Sequence, residues 1–266
     1  MIVKCDNSWK ERIEEFIGND YPACLYLYLD FKKYGFEVDY VTIWGQIDKD
    51  EHINCVILKY HTGMHIYSRT HNFEVDEVIK LIKEENPDMI CGRGDIIKVL
   101  AQEEKMKGYE SEFGYIGQCK RVVFYSLHYS VEKAEKSDFP QIVQLLYHDE
   151  GIGASYDLEE LGNQMYERNS QGFVRNYIIR KQGEPVCHVC TGAEFGHIAI
   201  VSGVVTHLAV RGKGYASSLL SYICKELLEE GKDVYTVYYT NEARNLHHKV
   251  GFIDYCVYGK LFRRHH

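Results

Sequence analysis

Apolar residues recur at helical spacing in the stretch "YASSLLSYICKELLEEG", residues 215–231. They form one stripe on the predicted helix: Ala216, Leu219, Leu220, Ile223, Cys224, Leu227 and Leu228. Such a stripe predicts an amphipathic helix, and Gly231 is a typical C-terminal stop. The run before it, "IAIVSGVVTHLAV" at 198–210, is rich in β-branched residues and predicts a strand. A strand therefore turns into a helix through the residues Arg211 to Gly214.

The same two patterns alternate along the rest of the chain. Besides 198–210, the strands predicted from β-rich runs are 38–47, 53–60, 63–69, 172–180 and 185–195. Besides 215–231, helical patterns occupy 73–89, with Pro87 as a stop, 139–147 and 158–170. A turn is predicted at 92–94, with a further short helix after it.

The length of 266 residues predicts two domains, because it is more than one average core needs. We place the boundary where the strand-like run "VVFYSL" at 122–127 gives way to a charged stretch. The predicted domains are therefore residues 1–127 and 128–266.

Composition and charge narrow the class of protein. The hydrophobic and charged fractions, 45% and 26%, are those of a folded chain, and a net charge of −8 argues against a nucleic-acid surface over the whole chain. Nine scattered cysteines, with no secretory signal peptide ahead of them, predict reduced thiols and a cytoplasmic location. No apolar stretch approaches the roughly 18 residues of a membrane span. Neither a membrane nor a nucleic acid is expected as a partner.

The junction between the predicted strand and helix is suited to an anion. A helix that begins there points its unpaired backbone N–H groups and its positive dipole end outward. Gly212 and Gly214 lack the Cβ atoms that keep a phosphate from the backbone, and Arg211 and Lys213 add positive charge. The same glycines also suit a tight turn with exposed basic residues, so the pattern alone leaves both interpretations open.

Two common phosphate-binding loops do not match the junction. The P-loop spacing G-x-x-x-x-G-K-[ST] is absent, and a dinucleotide fingerprint needs a third Gly or Ala where Ser217 stands. The junction also follows a predicted antiparallel meander instead of opening a βαβ unit. A nucleotide-dependent oxidoreductase that binds NAD or FAD stays as an alternative hypothesis.

The string from Arg211 to Ala216 matches the [QR]-x-x-G-x-[GA] pattern of the GNAT superfamily of acyl-coenzyme A-dependent N-acetyltransferases, which residues 128–262 resemble. "SVEKAEKSDFPQIVQLL" is similar to the first strand and helix of that fold, "GVVTH" to its fourth strand and "DVYTVYYT" to its fifth. "NEARNLHHKVGF" resembles the closing helix and Gly-Phe signature. The resemblance implies an α/β (α+β) fold, with a mixed, mostly antiparallel twisted sheet flanked by helices and a smaller N-terminal α/β domain.

The resemblance also implies acetyl-CoA as the acyl donor and no metal. It implies that the coenzyme A pyrophosphate is held by the backbone amides of Gly212, Lys213, Gly214, Tyr215, Ala216 and Ser217, with Arg211 and Lys213 as charge partners. The pantetheine arm is expected to pair like an added strand with the backbone of Val204, Val205 and Thr206. Asn241 is expected to cap the last helix and, by the resemblance, to bond the pantetheine.

Direct transfer from thioester to amine needs no protein nucleophile, so the resemblance makes proton transfer the catalytic task. Family members most often protonate the departing thiolate with a Tyr four residues before the Gly of Gly-Phe. Counting back from Gly251 gives His247, which can donate a proton near neutral pH. A structural role for this His is the alternative, with the hydroxyls of Tyr238, Tyr239 and Tyr255 as other donors.

A second proton must leave the incoming amine, whose reference pKa is about 10.4 for a lysine-like group. We predict two candidates for the base. His207 ends the strand four residues before Arg211, and Glu194 lies in the turn that precedes the strand. A water relay is the alternative to both.

One pair of cysteines has a spacing that is found in zinc sites. Cys187 and Cys190 form a C-x-x-C string with a His inside, but no second pair is near and the two side chains of a strand at this spacing face opposite sides. Zinc is therefore not expected.

The first half resembles the superfamily only loosely, and we interpret it as a degenerate copy that builds one wall of an acceptor pocket. The predicted function is acetyl transfer from acetyl-CoA to a primary amine of a small molecule or peptide. The alternative is a non-catalytic acyl-CoA sensor of the same fold. The sequence leaves the acceptor and the oligomeric state open.

Overall fold

The computed structural model describes residues 1–123, 129–149, 157–172 and 174–263. The chain divides into two units, Met1–Ile116 with Asp254–His266, and Gly117–Ile253. The predicted division between residues 127 and 128 falls outside the described ranges and stays a prediction.

Twelve strands and eight α-helices are found in the described residues, numbered here in chain order. They are β1 Ile2–Lys4, α1 Lys10–Ile17, α2 Leu25–Tyr34, β2 Val41–Ile47, β3 Ile53–Tyr60, β4 Gly63–Tyr67, α3 Val75–Glu85, β5 Met89–Arg93, α4 Gly94–Gln102 and β6 Glu110–Cys119. There follow β7 Glu132–Lys133, α5 Phe139–Tyr147, α6 Leu158–Ser170, β8 Asn176–Lys181, β9 Glu184–Phe195, β10 Ile198–Thr206, α7 Tyr215–Glu229, β11 Asp233–Tyr238, α8 Asn241–Val250 and β12 Phe252–Phe262.

The sheet of the first unit has the order β1-β2-β3-β4-β5-β12. Its neighbours are antiparallel except for the parallel pair β4 and β5. Strand β12 comes from the end of the chain and lies antiparallel to β5, with Tyr258 opposite Arg93. Helix α3 buries Val78, Ile79 and Ile82 against this sheet, as their spacing predicts.

The sheet of the second unit has the order β7-β8-β9-β10-β11, again antiparallel except for its last pair, β10 and β11. Helix α7 packs the predicted apolar stripe on one face of it, where Leu219, Leu220 and Ile223 are fully buried. Helices α5 and α6 pack with Ile178 and Val205 in a separate core cluster. Because Ile178 alternates with the residues under α7, the sheet is covered by helices on both faces.

One succession of elements occurs twice along the chain, first from β1 to β6 and again from β7 to β12: strand, two helices, three strands, helix, strand, helix and strand. The strand pairing also repeats, since three antiparallel pairs precede one parallel pair in β1 to β5 and again in β7 to β11. The predicted fold class, a mixed and mostly antiparallel sheet flanked by helices, is therefore confirmed.

Two local predictions need correction, and a third is not tested. Residues 92–94 do not form a turn, because Gly92 and Arg93 end β5 and Gly94 begins α4. Gly92 suits the strand because a Cβ there would lie 2.6 Å from the carbonyl oxygen of Ile66. The strand predicted at 198–210 ends at Thr206, and Leu208–Val210 form a 3-10 turn. The strand predicted at 122–127 lies largely outside the described residues.

No α-helix in the described part of the chain has both the length and the apolar character needed to cross a membrane.

Candidate active site

Strand β10 parts from β11 in the second unit. The last pair in their parallel register is Val201 with Thr236, yet β10 continues to Thr206 and β11 to Tyr238. In its final residues β10 stays paired with β9, where Val205 lies opposite His188. The backbone edge of 202–206 that faces away from β9 is therefore open to an extended ligand rich in amides.

A β-bulge accompanies this separation. Three residue steps along β10, from Ser202 to Val205, face only two steps along β9, from Cys190 to His188. Gly203 lies in the bulge with a φ of 60°, in the left-handed region that favours glycine. An extra residue bends its strand and increases the local twist, which is the change needed to turn 204–206 away from β11.

The junction between β10 and α7 has the geometry of an anion cradle. Gly212 and Gly214 have φ values of 78° and 86°, and a Cβ built at Gly212 would meet no atom within 4 Å. The first hydrogen bond of α7 joins the Ser218 N–H to the Gly214 carbonyl at 3.0 Å, so the amides of 215–217 lie ahead of it at the positive end of the helix dipole. The predicted segment thus fits a pyrophosphate.

The two basic residues of the cradle differ in their surroundings. The Arg211 guanidinium donates to the Thr206 carbonyl at 3.0 Å and to the Asp149 carboxylate at 2.9 Å. Lys213 is exposed. Ser217 is buried, and its hydroxyl donates to the Gly214 carbonyl at 3.0 Å, so Ser217 offers a ligand its backbone N–H and not its side chain.

Tyr129 supports the cradle from outside the predicted string. Its hydroxyl donates to the Lys213 carbonyl at 2.7 Å, and its ring stacks on Tyr215 with centroids 4.1 Å apart. No local pattern points to Tyr129, because it lies 84 residues before Lys213 in the sequence. Asp149, the partner of Arg211, was missed for the same reason.

His247 lies on α8 and is 4% exposed. Its Nδ1 is 2.7 Å from the Ala243 carbonyl, which can only accept, so Nδ1 carries the hydrogen and Nε2 is an acceptor that faces the Thr236 hydroxyl at 3.5 Å. Burial lowers the pKa of His247 to about 4. A neutral imidazole whose N–H is already bonded is poorly suited to protonate a thiolate near pH 7.

His207 is exposed directly after β10, where its Nδ1 accepts a hydrogen bond from the Ala209 N–H at 3.3 Å. The neutral ring then carries its hydrogen on Nε2. To accept a proton from an amine, His207 must first release the Ala209 N–H.

Glu194 lies away from the cradle. Glu194 is in β9 and lies opposite Ala199 in β10. Ala199 precedes Thr206 by seven residues, which is roughly 20 Å along the strand. Its carboxylate accepts from the Thr191 hydroxyl and from the Arg175 guanidinium, both at 2.9 Å. The structure therefore does not bring Glu194 together with the other predicted site residues.

Asn241 does not cap α8, so that prediction is wrong. Thr240 is the N-cap, and its hydroxyl accepts from the Ala243 N–H at 3.2 Å. Asn241 is the first residue of the helix and is exposed. Thr also caps helices well, and sequence alone does not separate two adjacent capping residues.

Replacing the cap tests this correction. We expect Thr240→Ala to lower the free energy of unfolding by about 1 kcal/mol, because one N–H of the first turn loses its acceptor. Asn241→Ala should change it by less than about 0.5 kcal/mol. Urea unfolding of the two variants measures the difference, and equal losses would contradict the assignment of the cap.

The fold and this site define a mixed α/β domain with an open strand edge beside an anion cradle, and comparison with known proteins gives a family model that matches part of it. Residues 131–252 match the model of the acetyltransferase (GNAT) family. Residues 131–252 of the second unit therefore correspond to the GNAT domain that this family model describes. No curated protein gives a significant match to the sequence.

Several solved structures share the architecture of the whole chain. A GCN5-related N-acetyltransferase from Sphaerobacter thermophilus is 12% identical with a TM-score of 0.65, covering 98% of this chain and 94% of its own. A GCN5-related N-acetyltransferase-like protein from Streptococcus suis is 14% identical with a TM-score of 0.62, covering 97% and 99%. An acetyltransferase from the GNAT family of Colwellia psychrerythraea is 10% identical with a TM-score of 0.59, covering both chains fully. At these identities the likeness concerns the fold.

Proposed function

We propose that the second unit transfers an acetyl group from acetyl-CoA directly to a primary amine of a small molecule or peptide. One observation carries the proposal: the open edge of β10 at 202–206 leads within a few residues into the glycine cradle at Gly212 and Gly214. Coenzyme A requires both features, a hydrogen-bonding edge for its pantetheine amides and an anion site for its pyrophosphate.

Each part of the site has a task in this proposal. The amides of 212–217 bind the pyrophosphate, with Lys213 as the exposed cation beside them. The backbone of Val204, Val205 and Thr206 would align the pantetheine arm, and a backbone N–H on this edge could donate to the thioester oxygen, where negative charge develops during attack by the amine. Bound acetyl-CoA supplies the activated acyl group. Asn241 is exposed at the start of α8. Because Thr240 caps the helix, the Asn241 side chain can bond a ligand.

Proton removal from the amine is assigned to water. The Nδ1 atom of His207 already accepts a hydrogen bond from a backbone N–H. His247 is buried, and Glu194 lies near the other end of β10. A chain of water molecules between the separated strands can relay the proton of the amine to bulk solvent without any of these groups, and the departing thiolate can take its proton from the same water.

The proposal is tested by measuring thiol release from acetyl-CoA in the presence of polyamines, amino acids, aminoglycosides and amine-bearing peptides. Thiol release that depends on one class of amine, with the acetylated amine identified by mass spectrometry, is the expected result. Acetylation of a hydroxyl or thiol in place of an amine would contradict it.

The environment of His247 gives a second prediction. We expect His247→Phe to keep kcat within about threefold of the original protein and to leave its pH dependence between 6 and 8 unchanged. The reason is that a group with a pKa of about 4 is almost wholly neutral throughout that range. Steady-state kinetics measure this. A loss of kcat above about a hundredfold with unchanged affinity for coenzyme A would restore His247 as the acid.

The second candidate function is an acyl-CoA sensor, and the burial and lowered pKa of His247 favour it, because this residue stands where family members most often have a Tyr as the proton donor. A sensor binds acetyl-CoA tightly and releases no thiol with any amine. Calorimetric titration beside the thiol assay separates the two functions.

A further inference from the structure

Two buried polar side chains lie behind the bulge of β10. His188 on β9 is fully buried, and Asn176 on β8 is 6% exposed. The Nδ1 atom of His188 is 2.9 Å from the Gly203 carbonyl oxygen, and its Nε2 atom is 3.0 Å from the Asn176 side chain. The three residues form one line from β8 through β9 to the bulge.

The donors and acceptors of Gly203, His188 and Asn176 determine which ring nitrogen of His188 carries a hydrogen. The Gly203 carbonyl can only accept, so Nδ1 of His188 carries a hydrogen and donates it. Burial favours the neutral ring, which leaves Nε2 as an acceptor and requires the Asn176 amide nitrogen to face it. With the amide oxygen toward Nε2, the buried Asn176 nitrogen has no partner. A half-turn of the amide exchanges its two similarly shaped ends and satisfies the donor.

The His188 imidazole, which donates to the Gly203 carbonyl, also packs closely against Gly203. A Cβ built at Gly203 would lie 3.3 Å from Cε1 of His188 and 2.9 Å from Sγ of Cys190. Only glycine therefore accommodates both the positive φ and the close approach of the imidazole. Without the His188 donor, the Gly203 carbonyl loses a hydrogen bond that holds the extra residue in place, and a one-residue shift of register reverses the faces of 204–206.

We propose that Asn176 and His188 are a positioning pair that holds the bulge at Gly203 and thereby aims the backbone of Val204 to Thr206 at the pantetheine arm. The pair touches neither the acyl group nor the amine. This inference rests on the proposed binding of coenzyme A by the same strand. It assigns a task to two buried polar residues that the catalytic proposal does not use.

The test compares two ligands that share the pyrophosphate. 3′-Phosphoadenosine 5′-diphosphate needs only the cradle at 212–217, whereas coenzyme A also needs the open edge of β10. We expect His188→Phe and Asn176→Leu to raise the Kd of coenzyme A about five- to tenfold, the effect of about one hydrogen bond, and to leave the Kd of the nucleotide unchanged. Isothermal titration calorimetry gives both constants.

A matched control separates positioning from stability. Val234→Ala removes buried volume at the start of β11, away from the bulge, and should lower the free energy of unfolding without changing the ratio of the two Kd values. If His188→Phe also leaves that ratio unchanged, the pairing proposal is overturned. If the original protein binds neither ligand, the proposed function itself fails, and the two failures are thus distinguishable.

The tautomer provides an independent measurement. Nitrogen NMR shifts of the His188 ring at pH 7 should show hydrogen on Nδ1 and none on Nε2. Hydrogen on Nε2 alone would overturn the arrangement, because the Gly203 carbonyl would then face a lone pair.

Discussion

Gly214→Glu is expected to raise the Kd for coenzyme A by at least about a hundredfold. The substitution places bulk and negative charge at the N-terminus of α7, where the backbone amides meet the pyrophosphate. Gly214 has a φ of 86°, and the nearest atom to a Cβ built there is Ser217 Oγ at 3.8 Å. The new side chain therefore has room within the protein, and its carboxylate competes with the ligand. Isothermal titration calorimetry with coenzyme A measures the effect.

Gly183→Glu is the matched control. Gly183 has a φ of 88° in the turn between β8 and β9 and also has open space beside it. Both variants impose a left-handed conformation on glutamate, at a cost of about 1–2 kcal/mol each, but only Gly214→Glu alters the cradle. A folded Gly214→Glu protein that binds coenzyme A as tightly as the Gly183→Glu protein would exclude the cradle as the phosphate site.

The cradle was predictable from the sequence because its determinants are local. The stripe of α7 fixes where the helix begins and which face is buried, and two glycines before it permit positive φ values. Features of the site that depend on neighbouring strands could not be predicted from the local sequence. The separation of β10 from β11 depends on a bulge whose partner strand is β9, and no spacing within 198–206 specifies it.

Side-chain roles depended most on the folded environment. Counting back from Gly251 predicts His247 as an acid, but burial lowers its pKa and the Ala243 carbonyl accepts the hydrogen of its Nδ1. Glu194 is close to β10 in sequence yet joins Arg175 near the opposite end of that strand. Titratable groups therefore acquire their functions from contacts that a single sequence does not display.

The local sequence pattern also could not predict that β12 pairs with β5 in the sheet of the first unit. The apolar alternation of a C-terminal strand indicates that it pairs, but its partner β5 lies more than 150 residues earlier and is reached only through the tertiary fold. This arrangement joins the ends of the chain in one sheet. The succession of elements from β1 to β6 is repeated from β7 to β12, so the likeness between the two halves of the chain is one of topology.

The first unit explains why a shared topology need not carry a shared ligand site. Its junction between β4 and α3, residues 68–74, contains no glycine, and Asp76 and Glu77 occupy the first turn of α3. The Gln46 side chain accepts the Glu74 N–H at 2.7 Å and so occupies an amide that a phosphate would need. Acidic residues already complement this helix dipole and repel a pyrophosphate.

Acidification is expected to destabilise the protein between about pH 6.5 and pH 4, because three histidines in desolvated environments resist protonation. Burial lowers the pKa of His65, His188 and His247 to about 4 each, whereas all three titrate near 6.5 in the unfolded chain. Between these values the unfolded chain binds up to three more protons than the folded chain, so the free energy of unfolding rises with pH there and falls as pH decreases. From pH 7 to pH 5 the three groups together account for a loss of roughly 5–6 kcal/mol.

Urea unfolding at intervals of half a pH unit measures this dependence, and variants assign it. His247→Phe should remove about a third of the slope near pH 5, because one of the three proton-binding differences disappears. His52→Gln, at an exposed histidine, should leave most of the slope in place. Carboxylates with lowered pKa values, such as Asp138 beside Arg180, act at lower pH, since their contribution is complete above the unfolded value of about 4. A stability curve that stays flat between pH 6.5 and pH 5 would show that the three imidazoles take up protons in the folded state, and it would contradict the prediction.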